Sequence, residues 1–267
     1  MNGRDRSCDV CLGSDLAPYL DPGTCGRRLT RCSDCGLVSA DPADGEGASL
    51  DTTERDPKVD RRRAAAVARL LGSGRVLEVG CGPGHFLAAL DPARYEVVGV
   101  EPSARQAEEA ARGVTQAGLR GGVVAGNLAS AGLPAETFDL VALFGSLSCA
   151  ASPRSTCAEV SRLLRPGGYV LIETPSLSSF TAMLLGTRWK PLRDPHAAWF
   201  FTAACLERLA TASGLAPGST WLPLPVGWPG PGTLVYVARK SSIPQRAASL
   251  SDLATQVGTI APIGVSR

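Results

Sequence analysis

The stretch that most restricts the fold of this chain is Arg75-Val76-Leu77-Glu78-Val79-Gly80-Cys81-Gly82-Pro83-Gly84, an apolar run that delivers a carboxylate and then a glycine at every second position. The apolar part has the length of a buried strand. Gly80, Gly82 and Gly84 permit a tight turn with unusual φ and let a ligand come close to the backbone. A dinucleotide fingerprint requires G-x-G-x-x-G. Here the spacing is G-x-G-x-G, with Glu78 two residues ahead.

The next candidate strand, Tyr95 to Val100, ends in Glu101, 23 positions after Glu78. In a doubly wound fold an acidic residue at about this separation meets a ribose diol, and a carboxylate offers two acceptor oxygens to paired hydroxyls. Glu101-Pro102-Ser103-Ala104 reads as a helix start. Apolar strands then alternate with helical stretches such as Ser103 to Ala111 and Arg154 to Leu164, which predicts a parallel sheet with helices on both faces.

The run from Arg75 to Gly84, with Glu101, resembles the first motif of class I S-adenosylmethionine (SAM) dependent methyltransferases. Leu163-Leu164-Arg165-Pro166-Gly167-Gly168 through Pro175 is similar to the family's helix, turn and fifth strand, and the likeness spans roughly residues 59 to 240. It implies an α/β, Rossmann-like doubly wound sheet with SAM as methyl donor. It further implies that Glu78, Gly80, Gly82, Gly84, His85, Glu101, Asn127, Leu128 and Phe144 surround the cofactor. Asn127 stands where the family usually has an aspartate, and its amide oxygen can still accept from an adenine amino group. After the strand Phe138 to Phe144, many relatives carry Leu-Glu-His; here the register reads Leu147-Ser148-Cys149. The usual acid and histidine are missing, and Cys149 among alanines reads as a small buried hydrophobe.

Only two histidines exist, so the choice of a base is narrow. His196 matches a family segment in which a histidine precedes aromatic residues, and an imidazole titrates in the range a base needs. Glu173, at the end of the fifth strand, is placed to orient it or to bind substrate, because ligands sit beyond the carboxyl ends of such strands. The substrate element is expected between Thr174 and Phe201. All four tryptophans fall after residue 188, which suggests an aromatic-lined cap over a small organic acceptor.

Four of the nine cysteines, Cys8-x2-Cys11 and Cys32-x2-Cys35, have the spacing of a zinc ribbon, and a site of four thiolates is structural rather than catalytic. Metal also stabilises a segment of about 40 residues that is too small to hold a fold by burial alone. A module held to phosphates carries a basic excess. Residues 1 to 36 instead balance Arg4, Arg6, Arg27, Arg28 and Arg31 against Asp5, Asp9, Asp15, Asp21 and Asp34, and the whole chain is +2. This argues against nucleic acid as a partner, and against the zinc-bearing ribosomal RNA guanine methyltransferases of comparable size. The segment Arg31 to Val38, followed by Asp41-Pro42, resembles the amino-terminal zinc module of methyltransferases acting on deoxysugars and secondary metabolites. The implied function is methyl transfer to a small metabolite in secondary-metabolite, antibiotic or sugar biosynthesis. The alternatives are a ribosomal RNA guanine methyltransferase and a SAM-binding protein that transfers no methyl group, the latter left open by the missing acid and histidine.

The organisation follows. Residues 1–42 form the zinc module, 43–58 a polar linker, 59–240 the methyltransferase domain and 241–267 a tail. A helix from Val59 to Leu71 opens the catalytic domain, and its Arg61-Arg62-Arg63 run reads as a solvated face. With 44% hydrophobic residues, 19% charged residues and a polar start, the chain has a large core and no apolar run of membrane length. A soluble cytoplasmic protein with no membrane partner is expected.

Overall fold

The computed structural model describes residues 7–20, 26–40, 56–219 and 232–242. The greater part of the expected linker, Trp221, Trp228 with its neighbouring prolines, and all but the start of the tail lie outside the described residues. Near the N-terminus, β1 (Leu16–Leu20), β2 (Leu29–Cys32) and β3 (Val38–Ala40) form an antiparallel meander. The larger α/β part opens with α1 (Pro57–Leu70), where the Asp56 side chain accepts from Lys58 N at 2.9 Å and Pro57 supplies the preset φ of a first turn. The helix therefore starts two residues before the expected Val59.

The chain then alternates: β4 (Gly74–Val79), α2 (His85–Ala88), β5 (Tyr95–Glu101), α3 (Ala104–Gln116), β6 (Arg120–Ala125), β7 (Phe138–Phe144), α4 (Pro153–Leu163) and β8 (Leu164–Pro175). After β8 come two short helices, α5 (Phe180–Leu185) and α6 (Lys190–Arg193), then β9 (Trp199–Phe200), α7 (Ala203–Ala212), β10 (Leu215–Ser219) and β11 (Thr233–Lys240). Ser103, Ser152 and Thr202 cap α3, α4 and α7, each accepting from the backbone N–H three residues on. The expected turn at Pro166-Gly167-Gly168 is taken up inside β8. Phe138 of β7 faces Leu164 and Leu140 faces Tyr169, so the residues between bulge out, with Gly167 at φ +80°.

The large sheet has the order β10-β11-β8-β7-β4-β5-β6, parallel from β8 to β6, with β11 and β10 antiparallel at the other edge. All seven residues of β7 are buried, as a central parallel strand requires. Its one acid, Asp139, accepts from Arg75 N at 2.7 Å and pairs with Arg165. One face of the sheet is covered by α1, α2 and α3 through Val67, Phe86, Leu87, Ala110 and Val114. The other is covered by α4 and α7 through Val160, Leu163, Leu206 and Leu209. Strand order reverses between β4 and β7, the place where doubly wound sheets open a crevice beyond their carboxyl ends.

The small N-terminal sheet is completed from far along the chain. Val38 and Ser39 of β3 pair with Phe200 and Trp199 of β9. Leu29, Val38 and Ala40 share a core with Trp189, Leu192 and Phe200. Cys8, Val10, Cys35 and Leu37 join the core that contains Phe201, Cys205 and Leu206.

Candidate functional site

The glycine turn leaves the carboxyl end of β4 at the switch point. Gly80, Gly82 and Gly84 have φ of +71°, +55° and +81°, in the region open to glycine. Space is restricted as well: a Cβ on Gly80 would lie 2.8 Å from Ser146 Cβ, and one on Gly84 would lie 2.8 Å from the backbone of Ala110 in α3. Glu101, at the end of β5, is buried and accepts from Gly82 N at 2.8 Å and Ser103 N at 2.9 Å, so the acid and the turn are tied together. Each of its oxygens has a further lone pair for a hydroxyl. A small polar ligand with a diol fits this cradle.

Glu78 is fully buried at the end of β4. Beside it stands a residue that sequence reasoning assigned to a solvated face. Arg63 is buried, and its Nε and Nη2 donate to the two carboxylate oxygens of Glu173 at 2.9 and 2.7 Å, while Nη1 donates to Asp60 Oδ1 at 3.1 Å. Its guanidinium also lies 4.4 Å from the ring centre of Phe144, which meets Phe86 edge-on. Burial pulls the Arg63 pKa down, but hydrogen bonding to Glu173 and the charges of Glu173, Glu78 and Asp60 hold it above its ordinary value. The signal was present in the sequence: Asp60, Arg63 and Val67 recur at helical spacing, on the side of α1 that carries its apolar residues.

Beyond β7 and β8 lies a cavity of about 200 Å³, lined by Gly145, Ser148, Cys149 and Pro175 on the sheet side and by Lys190, Asp194 and Ala197 on the other. Ser148 Oγ donates to Gly145 O at 2.6 Å. Cys149 is half-buried rather than the fully buried hydrophobe expected; burial, then the charge of Asp194, pushes its thiol up to about 11 and keeps it protonated at neutral pH, which argues against a nucleophile. Half-buried His196 sits between two lining residues and does not itself line the cavity; its backbone N–H donates to Asp194 Oδ1 at 2.9 Å. His85 opens α2 and is exposed. Asn127 is exposed and caps the short helical turn 128–130 by accepting from Ser130 N at 3.0 Å, while Leu128 is buried beneath it. Of the tryptophans expected to line a cap, Trp189 is buried against Phe200, with ring centroids 6.5 Å apart, and Trp199 Nε1 donates to Ala150 O at 2.6 Å. Trp189 serves the packing of its own segment and Trp199 ties that segment to the loop after β7; neither lines the cavity.

The four predicted metal ligands come together. The Sγ atoms of Cys8, Cys11, Cys32 and Cys35 all lie within 4.8 Å of one another, with Cys8–Cys35 and Cys11–Cys32 at 3.5 Å. Tetrahedral thiolate ligation of Zn²⁺ places sulfurs about 3.8 Å apart. The two knuckles repeat one geometry: Leu12 N donates to Cys8 O and Gly36 N to Cys32 O, both at 2.9 Å, and Leu12 and Gly36 both have positive φ. Burial pushes Cys35 up to about 12 and raises Cys8 as well. Four sulfurs held this close ionise favourably only around a cation, so the donor set fits zinc. Cys205, fully buried in the first turn of α7, is a fifth sulfur whose charge would act on Cys35 and which spacing alone did not reveal.

A seven-stranded doubly wound sheet with an antiparallel strand inserted beside β8, a glycine turn after its first strand and an acid after its second defines the class I methyltransferase fold. The chain belongs to the methyltransferase-domain family, whose sequence profile matches residues 52–219. It is similar to the tRNA U34 carboxymethyltransferase of Methylococcus capsulatus, 35% identical over 136 residues, covering 50% of this chain and 41% of that protein. It is also similar to the ubiquinone biosynthesis O-methyltransferase of Cereibacter sphaeroides, 28% identical over 167 residues, covering 58% of this chain and 66% of that one. The chain thus spans less than two thirds of the length of either relative. A solved SAM-dependent methyltransferase from Methanosarcina mazei has the same fold, with TM-score 0.53 and 19% identity over 66% of this chain and 97% of that one. Among the described residues no helix is long and apolar enough to cross a membrane.

Proposed function

We propose that this protein transfers the methyl group of SAM to a small organic acceptor seated in the cavity beyond β7 and β8. The observation that carries this reading is a juxtaposition: Gly80 of the glycine turn closes against Ser146, and the preceding residue, Gly145, lines the cavity. Cofactor cradle and acceptor space are thus neighbours. About 200 Å³ suits a ring-sized group, since an apolar cavity of about 150 Å³ admits benzene. A nucleotide embedded in RNA needs a basic approach surface, and two arginines near the small sheet are engaged internally. Arg27 binds carbonyls of residues 194 and 197, and Arg154 binds Asp9 O and Val10 O.

In this reading the backbone of Gly80, Gly82 and Gly84 holds the donor, Glu101 takes the ribose hydroxyls, Asn127 and Leu128 meet the adenine, and Glu78, His85 and Phe144 complete the surround. SAM supplies an electrophilic methyl group, so the chain's task is to align the acceptor and exclude water. Glu173 is held through both oxygens by Arg63, which suits a fixed ion pair shaping the site better than a proton acceptor. Proton removal, where the acceptor needs it, falls to His196. Zn²⁺ in Cys8, Cys11, Cys32 and Cys35 is structural. The test is calorimetric titration with SAM, followed by assay of S-adenosylhomocysteine release with small phenolic, amine and sugar acceptors. Absence of SAM binding sinks the reading, and SAM binding without product from any acceptor favours a non-methylating protein. Steeply salt-dependent RNA binding would favour an RNA substrate. An unchanged pH profile between about 6 and 9 in His196→Ala would remove His196 as base.

A further inference from the structure

The far wall of the cavity is held from behind by the small N-terminal sheet. Arg27, just before β2, donates through Nη1 to the carbonyl oxygens of Asp194 at 2.6 Å and Ala197 at 2.7 Å. These are two of the residues that line the cavity. The same segment is stitched on either side. Ala40 N donates to Ala198 O and Ala198 N donates to Ser148 O, both at 2.8 Å, and the pairing of β3 with β9 follows at once. Ser148 itself lines the opposite wall. A charged donor shared between two carbonyls of one turn fixes that turn more firmly than neutral bonds do.

We propose that Arg27 is a positioning residue that sets the width of the acceptor cavity, so that the four-cysteine sheet is a structural part of the acceptor site and not an independent appendage. The proposal rests on the reading of the cavity as the acceptor site. It assigns the metal-bearing sheet a role in acceptor fit and none in SAM binding, because the glycine turn and Glu101 lie on the other side of Ser146. Loosening the sheet therefore opens the cavity and leaves the cofactor cradle intact.

Cys149 supplies a probe, since it lines the cavity and is half-buried there. The zinc-loaded full-length protein, Arg27→Ala and Arg27→Lys are treated with iodoacetamide, and alkylation of Cys149 is followed by peptide mass spectrometry, with SAM binding measured by calorimetry on the same samples. Arg27→Ala is expected to raise the Cys149 rate roughly tenfold or more, the effect of losing two charge-assisted bonds, with SAM affinity unchanged and much of the protection restored in Arg27→Lys. A Cys149 rate that stays at the wild-type value in an Arg27→Ala protein that binds SAM overturns the proposal. If Arg27→Ala fails to fold, Arg27→Gln decides by the same pair of measurements, and an unchanged rate there is equally fatal. Faster alkylation with unaltered methyl transfer to a small acceptor would instead overturn the acceptor-site reading beneath it.

Discussion

Replacing Arg63 by methionine removes a buried cation that faces three acids, Glu173, Asp60 and Glu78. The structure gives the size of the effect. The guanidinium side chain is 7% exposed, it makes two bonds to Glu173 and one to Asp60, and the charge of Glu78 acts on it as well. Removing one partner of a buried pair costs about 3–5 kcal/mol, because the other charge stays behind without compensation. Loss of the contact with the Phe144 ring adds about 0.5–2 kcal/mol or less. For a domain of this size, such a loss lowers Tm by roughly 6–20 °C. Arg61→Met, on the exposed side of the same helix, serves as the control and should stay within about 0.5 kcal/mol of wild type. The assay is urea unfolding followed by circular dichroism, with Glu173→Gln and the double variant completing a cycle. The double variant should recover part of the loss, with a coupling of about 2 kcal/mol or more. An Arg63→Met protein as stable as Arg61→Met would refute the account of a buried cluster and restore the solvated face.

Three further outcomes follow from geometry already described. Gly84→Ala places a methyl 2.8 Å from the backbone of α3 at φ +81°, so SAM affinity should fall at least about tenfold by calorimetry, together with a loss of roughly 1–3 kcal/mol in stability. Metal analysis should find one zinc per chain, and a strong chelator should lower the denaturation midpoint; Cys8→Ser should reproduce that loss and gain nothing from added zinc. The thiol of Cys157 is fully buried, and burial followed by the charge of Asp9 pushes it up to about 12. A thiol whose folded pKa is raised contributes stability that is complete below its unfolded value near 9 and is lost as pH rises toward 12, at about 1.4 kcal/mol per unit. Unfolding between pH 8 and 11 should therefore show a steeper decline in wild type than in Cys157→Ala, and parallel curves would contradict the assignment.

Where local pattern and tertiary role coincide, the sequence was enough. The β4 run, its glycine turn, Glu101 and the strand Phe138–Phe144 are short segments whose conformation depends on residues close in the chain, and they stand where spacing placed them. The two cysteine pairs were legible for the same reason, since each knuckle is a local turn. What escaped was pairing at long range. Arg63 meets Glu173 across 110 positions, so a run of three arginines looked uniform although one of them faces inward. Cys205 approaches Cys35 only because α7 packs beneath the small sheet, and no spacing rule reports that. Trp189 and Trp199 read as cap residues because clustering says nothing about direction; Trp189 packs on Phe200 of its own segment, while Trp199 reaches across to Ala150 after β7.

The borrowed strand β9 also constrains the order in which the molecule can be built. Cys8 through Cys35 emerge well before β9 during synthesis and can close their two knuckles early, but this edge of β3 lacks its β9 partner until Trp199 and Phe200 have been made. The same holds for Arg27, whose carbonyl partners lie 167 and 170 positions later. Contacts of such separation are late and slow to form, and an open strand edge invites pairing with other chains while it waits. Early zinc loading would protect the nascent segment by holding its turns while that edge is still bare, so zinc starvation during expression should appear first as aggregation of newly made chains.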